Sequence, residues 1–493
     1  MKTTVLFRAD GSTQMGLGHL YRSAALSAML TDFHCVLVTA APEKVIGQTI
    51  CSAFSLIHHL TDADPRTFLA KLAEFGDPDA TIIVLDGYHF TTEIQQQLAA
   101  HVSRVVAIDD IHAYPFVCDL VINHSPVRHL RPRYELAGGT TLAHGLPYSL
   151  LRQPFLRVAR ERLYRGGAGR FFICFGGSDA KNITGKLIGW LTELGYERPL
   201  DVVLGPANPY REAVLEVAAL YPGEVTLHQS LGDAAMIELY LTAELAFLPA
   251  STTLLEALAV GVPTVIGYYV DNQVDIYRGF IQQKLSRGVG DWNAPEGLGE
   301  CIGAALRTAL HPRPRPIDGY ADVNLNLLFA QLAAKEELLL SRPAEAEDAR
   351  QYFEWVNEAM VRQNSIDTRL IAWEDHLAWF TKKVEAEDSL LLYFSNANGP
   401  CGQLRYDLEN GVATVDISLD KRQRGRGLAT RMLALGKRQL SARHPSVKHL
   451  DAHVKVANVA SARTFLNAGF AQMAAQEGQS LLHFRYEITD RQR

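Results

Sequence analysis

Short apolar runs alternate with longer stretches of helical periodicity over residues 1–310. Helical stretches such as 20–30 and 183–194 separate these runs. Strands that alternate with helices predict parallel sheets joined by right-handed crossovers, so we expect an α/β fold for this part of the chain. The candidate strands, which are rich in β-branched and aromatic residues, cover residues 5–7, 36–39, 81–86, 102–108, 120–123, 170–175, 201–204, 245–248 and 264–269.

This alternating region divides into two halves of similar size. A glycine-rich loop at residues 164–169 separates them, and each half opens with a strand, a glycine turn and a helix. Open parallel sheets bind ligands at the carboxyl ends of their strands, so two such lobes present facing mouths with a cleft between them. We place the lobes at residues 1–160 and 165–340, and we expect a helix at 324–340 to pack back on the first part of the chain.

The pattern changes beyond the proline-rich segment 312–316. Helices are predicted at residues 346–363 and 373–383, followed by strands of antiparallel appearance, a glycine-rich turn and a helix at 430–440. This last part has a suitable length for one independent α+β domain, which we place at residues 342–490.

Composition narrows the classes of function. The chain of 493 residues is too long for one hydrophobic core, and 47% hydrophobic with 21% charged residues describes an ordinary globular protein. The net charge of -6, with both signs mixed, gives no reason to expect nucleic acid as a partner. The sequence lacks a signal-peptide core and an apolar run of the ~20 residues that span a bilayer. Its six cysteines form no C-x-x-C pair, so we expect reduced core thiols in a cytoplasmic protein without a membrane partner.

The segment 8–19 (RADGSTQMGLGH) is a glycine-rich turn between a predicted strand and a predicted helix. Such a turn lets backbone N–H groups close on an anion or a sugar. It delivers His19 at the helix start, and Arg22, three residues on, lies on the same helix face. A tight structural turn is the alternative, but the charges around it exceed what a turn requires. We therefore predict chemistry on a phosphorylated or nucleotide-linked substrate.

Three polar features of the second half complement this turn. The turn at 176–179 (GGSD) could hold a pyrophosphate on the N–H groups of the helix that follows. Glu256 lies early in a hydroxyl-rich helix, where it could accept hydrogen bonds from a ribose or simply complement the helix dipole. Asn272 and Gln273 either supply amides at the end of a strand or belong to a solvated loop.

In their order and spacing, these segments resemble the UDP-2,4-diacetamido-2,4,6-trideoxy-β-L-altropyranose hydrolases of pseudaminic acid synthesis, which are related to glycosyltransferases of the B fold. The resemblance covers residues 2–335 and includes LDGY at 85–88, IDD at 108–110 and GxxYxxLRxxF at 145–155. It implies two Rossmann-like lobes of glycosyltransferase-B type, with UDP bound by the second lobe.

By that resemblance the catalytic residues are His19, as the base, and Tyr88 and Asn272, which line the sugar. Water attacks C1 with inversion and without a metal, while helix N-termini stabilise the leaving UDP. The principal alternative is a glycosyltransferase that passes the sugar to another acceptor, and a UDP-sugar-binding module without activity is a second. The implied substrate-binding residues are Arg8, Asp10, Gly16, Gly18, Arg22, Gly176, Gly177, Ser178, Ser251, Thr252, Thr253, Glu256 and Gln273.

Three other polar pairs carry no prediction of chemistry. The segment 62–64 (DAD) has the spacing of a metal-binding D-x-D, but Pro65 and a helical run follow it, so we predict a helix-start turn. The pair at 58–59 (HH) lacks a spaced third ligand for zinc. The adjacent carboxylates at 109–110 point to opposite faces if they lie on a strand, so we expect at most one to face the cleft.

A basic glycine-rich loop at 422–429 (RQRGRGLA) follows a predicted strand at 412–418 and precedes a helix. With the segment 458–470 (NVASARTFLNAGF), it resembles the GNAT acetyltransferases over residues 342–487. There the glycines let backbone amides turn onto the coenzyme A pyrophosphate, and a strand pairs with the pantetheine arm. The implied acetyl-CoA-binding residues are Arg422, Gly425, Arg426, Gly427, Leu428, Ala429, Thr430, Asn458 and Ser461.

One position departs from the GNAT pattern. Phe465 stands where these enzymes often have tyrosine, the general acid for the departing thiolate, so water or another side chain must protonate the sulfur. Asp416 and His453 are candidates for the base that deprotonates the amine. The pathway implied by the first region acetylates a 4-amino group of the same UDP-sugar before hydrolysis, which makes that amine the expected acceptor. A protein amine, or a decayed binding module, is the alternative.

Overall fold

The computed structural model describes residues 2–12, 16–127, 130–294, 297–307, 316–474 and 480–488. Residues 13–15 of the first glycine turn, most of the proline-rich segment and the end of the third predicted domain lie outside this part of the chain. The chain forms two compact units, unit 1 at Met1–Lys335 and unit 2 at Glu336–Arg493. The three predicted domain boundaries stay predictions.

The first half of unit 1 is built on a parallel sheet of seven strands. The strands follow the order β3-β2-β1-β4-β5-β6-β7, so the strand order reverses between β1 and β4. Crevices that bind ligands form at such a reversal point, outside the carboxyl ends of the strands. The strands are β1 (Thr4–Ala9), β2 (His34–Thr39), β3 (Leu56–His59), β4 (Thr81–Asp86), β5 (Arg104–Ile108), β6 (Leu120–Asn123) and β7 (Thr141–His144). The helices are α1 (Gly18–Met29), α2 (Gln48–Cys51), α3 (Pro65–Ala70), α4 (Thr92–Ala99) and α5 (Gln153–Glu161).

The second half of unit 1 repeats this plan with six parallel strands. Their order is β10-β9-β8-β11-β12-β13, and the order reverses between β8 and β11. The strands are β8 (Arg170–Cys174), β9 (Leu200–Leu204), β10 (Val225–Gln229), β11 (Ala243–Pro249), β12 (Thr264–Tyr268) and β13 (Arg287–Asp291). The helices are α6 (Ile183–Glu193), α7 (Arg211–Ala218), α8 (Asp233–Thr242), α9 (Thr252–Val260), α10 (Val274–Gln282), α11 (Leu298–Arg307) and α12 (Ala321–Ala333). The predicted parallel α/β architecture is confirmed.

The return helix α12 packs on the first half of unit 1, as predicted. The ring of Phe329 contacts the ring of Phe33 edge-to-face, with ring centroids 6.1 Å apart. The amide of Asn326 donates to the backbone oxygen of Met29, the last residue of α1. The helix ends at Ala333 rather than at residue 340, because a turn follows it and a strand of unit 2 begins at Leu340.

Unit 2 is an α+β domain on one mixed sheet of seven strands in the order β14-β15-β16-β17-β18-β20-β19. All neighbours are antiparallel except β17 and β18, which pair in parallel only from Val412–Thr414 to His449–Asp451. The strands are β14 (Leu340–Pro343), β15 (Ser389–Asn396), β16 (Gly399–Glu409), β17 (Val412–Leu419), β18 (His449–Lys455), β19 (Ala471–Gln472) and β20 (Leu481–Glu487). The helices are α13 (Ala349–Val356), α14 (Ala359–Asn364), α15 (Trp373–Glu385), α16 (Leu428–Arg443) and α17 (Val459–Asn467).

The single helix predicted over residues 346–363 is wrong in extent. The chain forms a 3₁₀ turn and then two helices, because Glu358 breaks the run and caps α14 through its side chain, which accepts from the N–H of Val361.

The cysteines were predicted to be reduced thiols in the core. Four of the six free cysteines are buried as predicted, whereas Cys51 and Cys301 are exposed. In the part of the chain that the structure describes, no helix is long and apolar enough to cross a membrane.

Candidate functional site

His19 lies at the reversal point of the first sheet. Helix α1 begins at Gly18, so the imidazole projects from its first turn. Strands β1 and β4 are neighbours, and their paired last residues are Ala9 and Asp86. The Nδ1 atom of His19 is 2.7 Å from the Oδ1 atom of Asp86. The sheet order therefore brings the histidine of the glycine turn onto the carboxylate that ends the adjacent strand.

Arg22 joins this pair to a second carboxylate. Its Nε atom donates to Asp86 Oδ2 at 2.8 Å, and its Nη2 atom donates to Asp86 Oδ1 at 2.6 Å. Its Nη1 atom donates to Asp110 Oδ2 at 2.7 Å. Asp110 follows β5, the next strand along the sheet, and Asp86 is fully buried. Arg22 thus lies on the same face as His19, as predicted, with its guanidinium fixed between two carboxylates.

The two adjacent carboxylates after β5 point in different directions. Asp110 binds Arg22, whereas Asp109 accepts from the hydroxyl of Tyr134 at 2.6 Å and from the N–H of His112 at 2.8 Å. Only Asp110 therefore contacts the group around His19.

The helix-start turn predicted at residues 62–64 is also present, since the side chain of Asp64 caps α3.

The buried charges fix the protonation states of this group. Burial alone raises the pKa of Asp86, but the charges of Arg22 and His19 oppose it and hold the pKa below its ordinary value. Burial by itself lowers the pKa of Arg22, but the charges of Asp86 and Asp110 outweigh it and raise the pKa above the ordinary value. Burial and the charge of Asp110 raise the pKa of Tyr88. At neutral pH the carboxylate of Asp86 is ionised and the Tyr88 hydroxyl keeps its proton.

The three residues predicted to be catalytic come together across the two halves of unit 1. The ring of Tyr88 packs against the ring of His19 in an edge-to-face contact, with centroids 5.0 Å apart. The amide of Asn272 donates to the hydroxyl of Tyr88 at 3.0 Å. Asn272 lies in a 3₁₀ turn after β12, and Gln273 in the same turn accepts from the backbone N–H of Tyr269. The side chain of Gln273 therefore holds its own loop.

The remaining predicted residues of the first turn stabilise the loop and strand ends. Arg8 is fully buried, and its Nη1 atom lies 2.7 Å from Asp10 Oδ1. The same Asp10 oxygen accepts from the backbone N–H of Ala40 at 2.7 Å, which ties the ends of β1 and β2 together. Gly16 has φ of +88°, a left-handed conformation that suits glycine, and Gly18 is the first residue of α1.

The second half of unit 1 presents a glycine turn and a helix start. Gly176, Gly177 and Ser178 follow β8, and Gly176 has φ of +79°. Asn182 is the N-cap residue of α6 and accepts from the N–H of Gly185, while the carboxylate of Asp179 accepts from the N–H groups of Ile183 and Thr184. The N–H groups of α6 that were expected to hold a pyrophosphate thus bond to side chains of the chain itself.

At the start of α9, Ser251 occupies the N-cap position and Thr252 and Thr253 form the first turn. Glu256, buried in the next turn, accepts from Arg152 Nη2 at 2.5 Å, and Arg152 also pairs with Asp233. Burial raises the pKa of Glu256 even though Arg152 opposes the rise.

Sequence reasoning did not assign roles to Asp86, Asp110 and Arg152. All three belong to motifs that carried the resemblance, but the contacts of Asp86 and Asp110 with Arg22 depend on the strand order. One signal for Asp86 was available, since a carboxylate at the end of a buried strand of a parallel sheet lies where ligands bind. Within the described residues, no group of three or more His, Cys, Asp or Glu side chains could hold a metal ion.

In unit 2 the predicted pyrophosphate loop precedes α16. Gly425 and Gly427 have φ of +79° and +72°, and Gly427 is the N-cap residue. Leu428, Ala429 and Thr430 form the first turn of the helix. Four arginines of this region each pair with a carboxylate: Arg422 with Asp420, Arg424 with Glu358, Arg426 with Glu337 and Arg431 with Glu336.

The base candidates lie beyond the point where β17 and β18 stop pairing. Asp416 is exposed and accepts from Gln403 Nε2 at 2.8 Å. His453 stacks on His483 of the neighbouring strand, with ring centroids 4.9 Å apart. Both side chains therefore lie where β17 and β18 no longer pair, and their role as the base for the amine stays a prediction.

The residues of α17 are divided between a cap and the core. The side chain of Asn458 accepts from the N–H of Ser461 and caps the helix. Phe465 is buried, packing edge-to-face on Phe470 and stacking on Phe484. The aromatic ring at the position that is often tyrosine is thus part of the apolar core.

Comparison with known proteins agrees with this division of the chain. Residues 338–471 match the acetyltransferase (GNAT) domain family. An uncharacterized protein of Methanocaldococcus jannaschii is 23% identical over 408 residues, which cover 80% of this chain and 81% of the relative. The UDP-2,4-diacetamido-2,4,6-trideoxy-β-L-altropyranose hydrolase of Campylobacter jejuni is 25% identical over 226 residues, 44% of this chain and 75% of that enzyme. The spore coat polysaccharide biosynthesis protein SpsG of Bacillus subtilis is 24% identical over 340 residues, 66% of this chain and 98% of that protein. The N-terminal region therefore resembles the Campylobacter hydrolase and the Bacillus spore-coat protein, and the C-terminal region is a GNAT acetyltransferase domain that uses acetyl-CoA.

Proposed function

We propose that unit 1 is a UDP-sugar hydrolase and that unit 2 N-acetylates an amino sugar of the same pathway. The substrate of unit 1 would be UDP-2,4-diacetamido-2,4,6-trideoxy-β-L-altropyranose, bound between two lobes of glycosyltransferase-B type. The acceptor of unit 2 would be the 4-amino group of the precursor UDP-sugar. The observation that carries the proposal for unit 1 is the contact of His19 with Asp86 and Tyr88, beside Asn272 of the second lobe.

In the hydrolysis, water attacks C1 of the sugar from the side opposite to UDP. His19 accepts a proton of that water as the new C1–O bond forms, and the electron pair of the breaking C1–O bond leaves with the β-phosphate of UDP. The configuration at C1 inverts. The backbone of Gly176, Gly177 and Ser178 and the N-terminus of α9 stabilise the departing diphosphate.

Tyr88 and Asn272 would hold the sugar between the lobes. Because burial and Asp110 keep Tyr88 protonated, its hydroxyl is a donor to a sugar oxygen or an acetamido carbonyl. Glu256, held by Arg152, would accept hydrogen bonds from the ribose. When the substrate binds, the hydrogen bond between Tyr88 and Asn272 would be replaced by hydrogen bonds from both side chains to the sugar.

In the acetylation, the amine attacks the thioester carbonyl of acetyl-CoA, the C–S bond breaks and coenzyme A leaves. The amides around Gly425 and Gly427 would hold its pyrophosphate. Asp416 or His453 would take the proton of the amine. The buried ring of Phe465 has no proton to give, so water or another side chain protonates the sulfur.

The hydrolase proposal is tested by supplying the UDP-sugar to the full chain without any acceptor. UDP and free sugar are expected, and in water enriched in oxygen-18 the label should appear on the sugar. His19→Ala should abolish both products, whereas His34→Ala, an exposed histidine at the amino end of β2, should not. Release of UDP only when another hydroxyl acceptor is present would favour a glycosyltransferase, and tight binding without any release would indicate a binding module.

The acetyltransferase proposal is tested with acetyl-CoA and the 4-amino UDP-sugar. Mass spectrometry should find one added acetyl group, with an equal amount of free coenzyme A thiol. Asp416→Asn and His453→Gln identify the base by their loss of kcat, and His449→Gln, earlier on β18, serves as the matched control. Acetylation of protein amines but not of the sugar would contradict the proposed acceptor.

A further inference from the structure

We propose that Asp86, Arg22 and Asp110 act as a positioning relay for His19, which rests on the proposed role of His19 as the base. In this relay Asp86 accepts the proton on Nδ1 of the imidazole, so that Nε2 keeps its lone pair for the water. Arg22 and Asp110 hold the carboxylate of Asp86 in place. Arg22, expected from the sequence to bind substrate, becomes a positioning residue.

The distance between His19 and Asp86 determines the tautomer. An ionised carboxylate can only accept a hydrogen bond, and its Oδ1 atom is 2.7 Å from Nδ1 of the ring. At that distance two lone pairs would repel each other, so Nδ1 carries the proton. The Nη2 atom of Arg22, which has two N–H groups and donates one to Asp86 at 2.6 Å, is also 3.0 Å from Nδ1, but the carboxylate oxygen is the closer neighbour of Nδ1 and decides the tautomer. The neutral ring therefore has its basic nitrogen at Nε2.

The relay also stabilises the protonated form of the base. Arg22 contributes one positive charge, and the carboxylates of Asp86 and Asp110 contribute two negative charges. The group therefore carries one net negative charge while His19 is neutral, and becomes neutral when His19 accepts the proton of water. Opposite charges attract at this distance, so the relay attracts the positive charge that the ring gains during the reaction.

The other titratable groups around the relay do not cancel this effect. Tyr88, against the ring, stays protonated and uncharged. Burial, reinforced by Arg22, lowers the pKa of His124 to about 4, so this histidine is neutral at pH 7. Burial and Arg8 lower the pKa of His89. Asp10 is already paired with Arg8.

Arg22 is poorly placed to bind the substrate directly. Its side chain is 7% exposed, and all three of its nitrogens donate to buried carboxylates. If a phosphate of the substrate bound Arg22, Asp86 and Asp110 would lose their partner and become unpaired buried charges, which is strongly unfavourable.

The relay is tested first by kinetics of UDP release with Asp86→Asn in the full chain. An amide can present its N–H to the ring and so favour the wrong tautomer; kcat should fall by about 10²- to 10⁴-fold while KM changes little. Asp119→Asn is the matched control, because Asp119 pairs with Arg104 in the same sheet and precedes β6, at the opposite edge.

A second variant and a spectroscopic measurement keep the test decisive if Asp86→Asn fails to fold. Asp110→Asn leaves the contact between His19 and Asp86 intact, and should lower kcat by about 10-fold while KM changes little. Nitrogen-15 NMR of His19 in the wild-type chain should find the proton on Nδ1, a result that needs no substrate. Wild-type kcat in both variants, or a proton on Nε2, would overturn the relay. If the wild-type chain releases no UDP, or His19→Ala is fully active, the proposed function fails instead.

Discussion

Gly205, which directly follows β9, supports the glycine turn of the second lobe from behind. A Cβ atom built on Gly205 lies 2.3 Å from the backbone oxygen of Gly177 and 2.4 Å from that of Gly176. Gly205 is not among the residues with positive φ, so its backbone accepts alanine and the conflict is purely steric. We therefore expect Gly205→Ala to displace the turn that we propose to hold the diphosphate of UDP.

The size of the effect follows from the distances. Ordinary contacts of a Cβ atom begin at 3.4 Å, so the turn must move by about 1 Å. Such a movement takes an N–H group out of hydrogen-bonding range of a phosphate oxygen. A hydrogen bond to a charged group is worth about 1.5–3 kcal/mol, so the dissociation constant of UDP should rise by about 10- to 150-fold. Overpacking should also lower the free energy of unfolding by about 1–3 kcal/mol.

The assay is calorimetric titration of UDP into the full chain, with thermal unfolding in parallel. Gly189→Ala is the matched control, because Gly189 lies inside α6 and its added Cβ meets no atom within 4 Å. That variant should bind UDP normally and be slightly more stable, since alanine favours helix. A Gly205→Ala chain that binds UDP within twofold of wild type would refute the reasoning.

Three further predictions concern buried and paired charges. Arg152→Met leaves Glu256 buried without its partner, so urea unfolding at pH 7 should find a loss of about 3 kcal/mol, which shrinks as Glu256 is protonated at lower pH. Glu337→Gln frees Arg426 from a half-exposed ion pair at 2.9 Å, so the KM for acetyl-CoA should fall by about 2- to 5-fold; a rise would mean that Glu337 instead holds Arg426 in its binding position. Burial lowers the pKa of His124 to about 4, so the unfolded chain binds the proton more tightly and stability declines as pH falls from 6.5 to 4. His124→Gln should flatten that decline, which is worth up to about 3 kcal/mol in urea titrations at pH 7 and 4.5.

The strands that the sequence predicts and those it omits differ in their place in the sheets. The apolar runs at β4 and β6 match the structure residue for residue. Four strands of unit 1 were not among the predicted ones, and all four lie at sheet edges: β3, β7, β10 and β13. The edge strands β3, β10 and β13 are partly exposed, so they need fewer apolar residues and their patterns are weak, whereas β7 is mostly buried and is only four residues long.

Helix ends were predicted less well than helix positions. The start of α1 beside His19 was expected within two residues, because glycines mark it. The predicted end of α12 at residue 340 was wrong, since the three consecutive leucines at 338–340 fit a helix and a strand equally well. Such short apolar runs are decided by packing, which periodicity does not contain.

The sequence by itself determined the alternation of strands and helices in unit 1, the two glycine turns and the loop of the GNAT domain. Those features are local, because backbone freedom and the spacing of apolar residues are properties of neighbouring residues. Only the tertiary structure decided which groups surround His19. Asp86 and Asp110 lie 64 and 88 residues beyond Arg22 in the chain, and they meet it because β1, β4 and β5 are adjacent in the sheet and end at one edge. Strand order depends on the packing of the whole sheet, so the partner of a buried charge becomes known only with the fold.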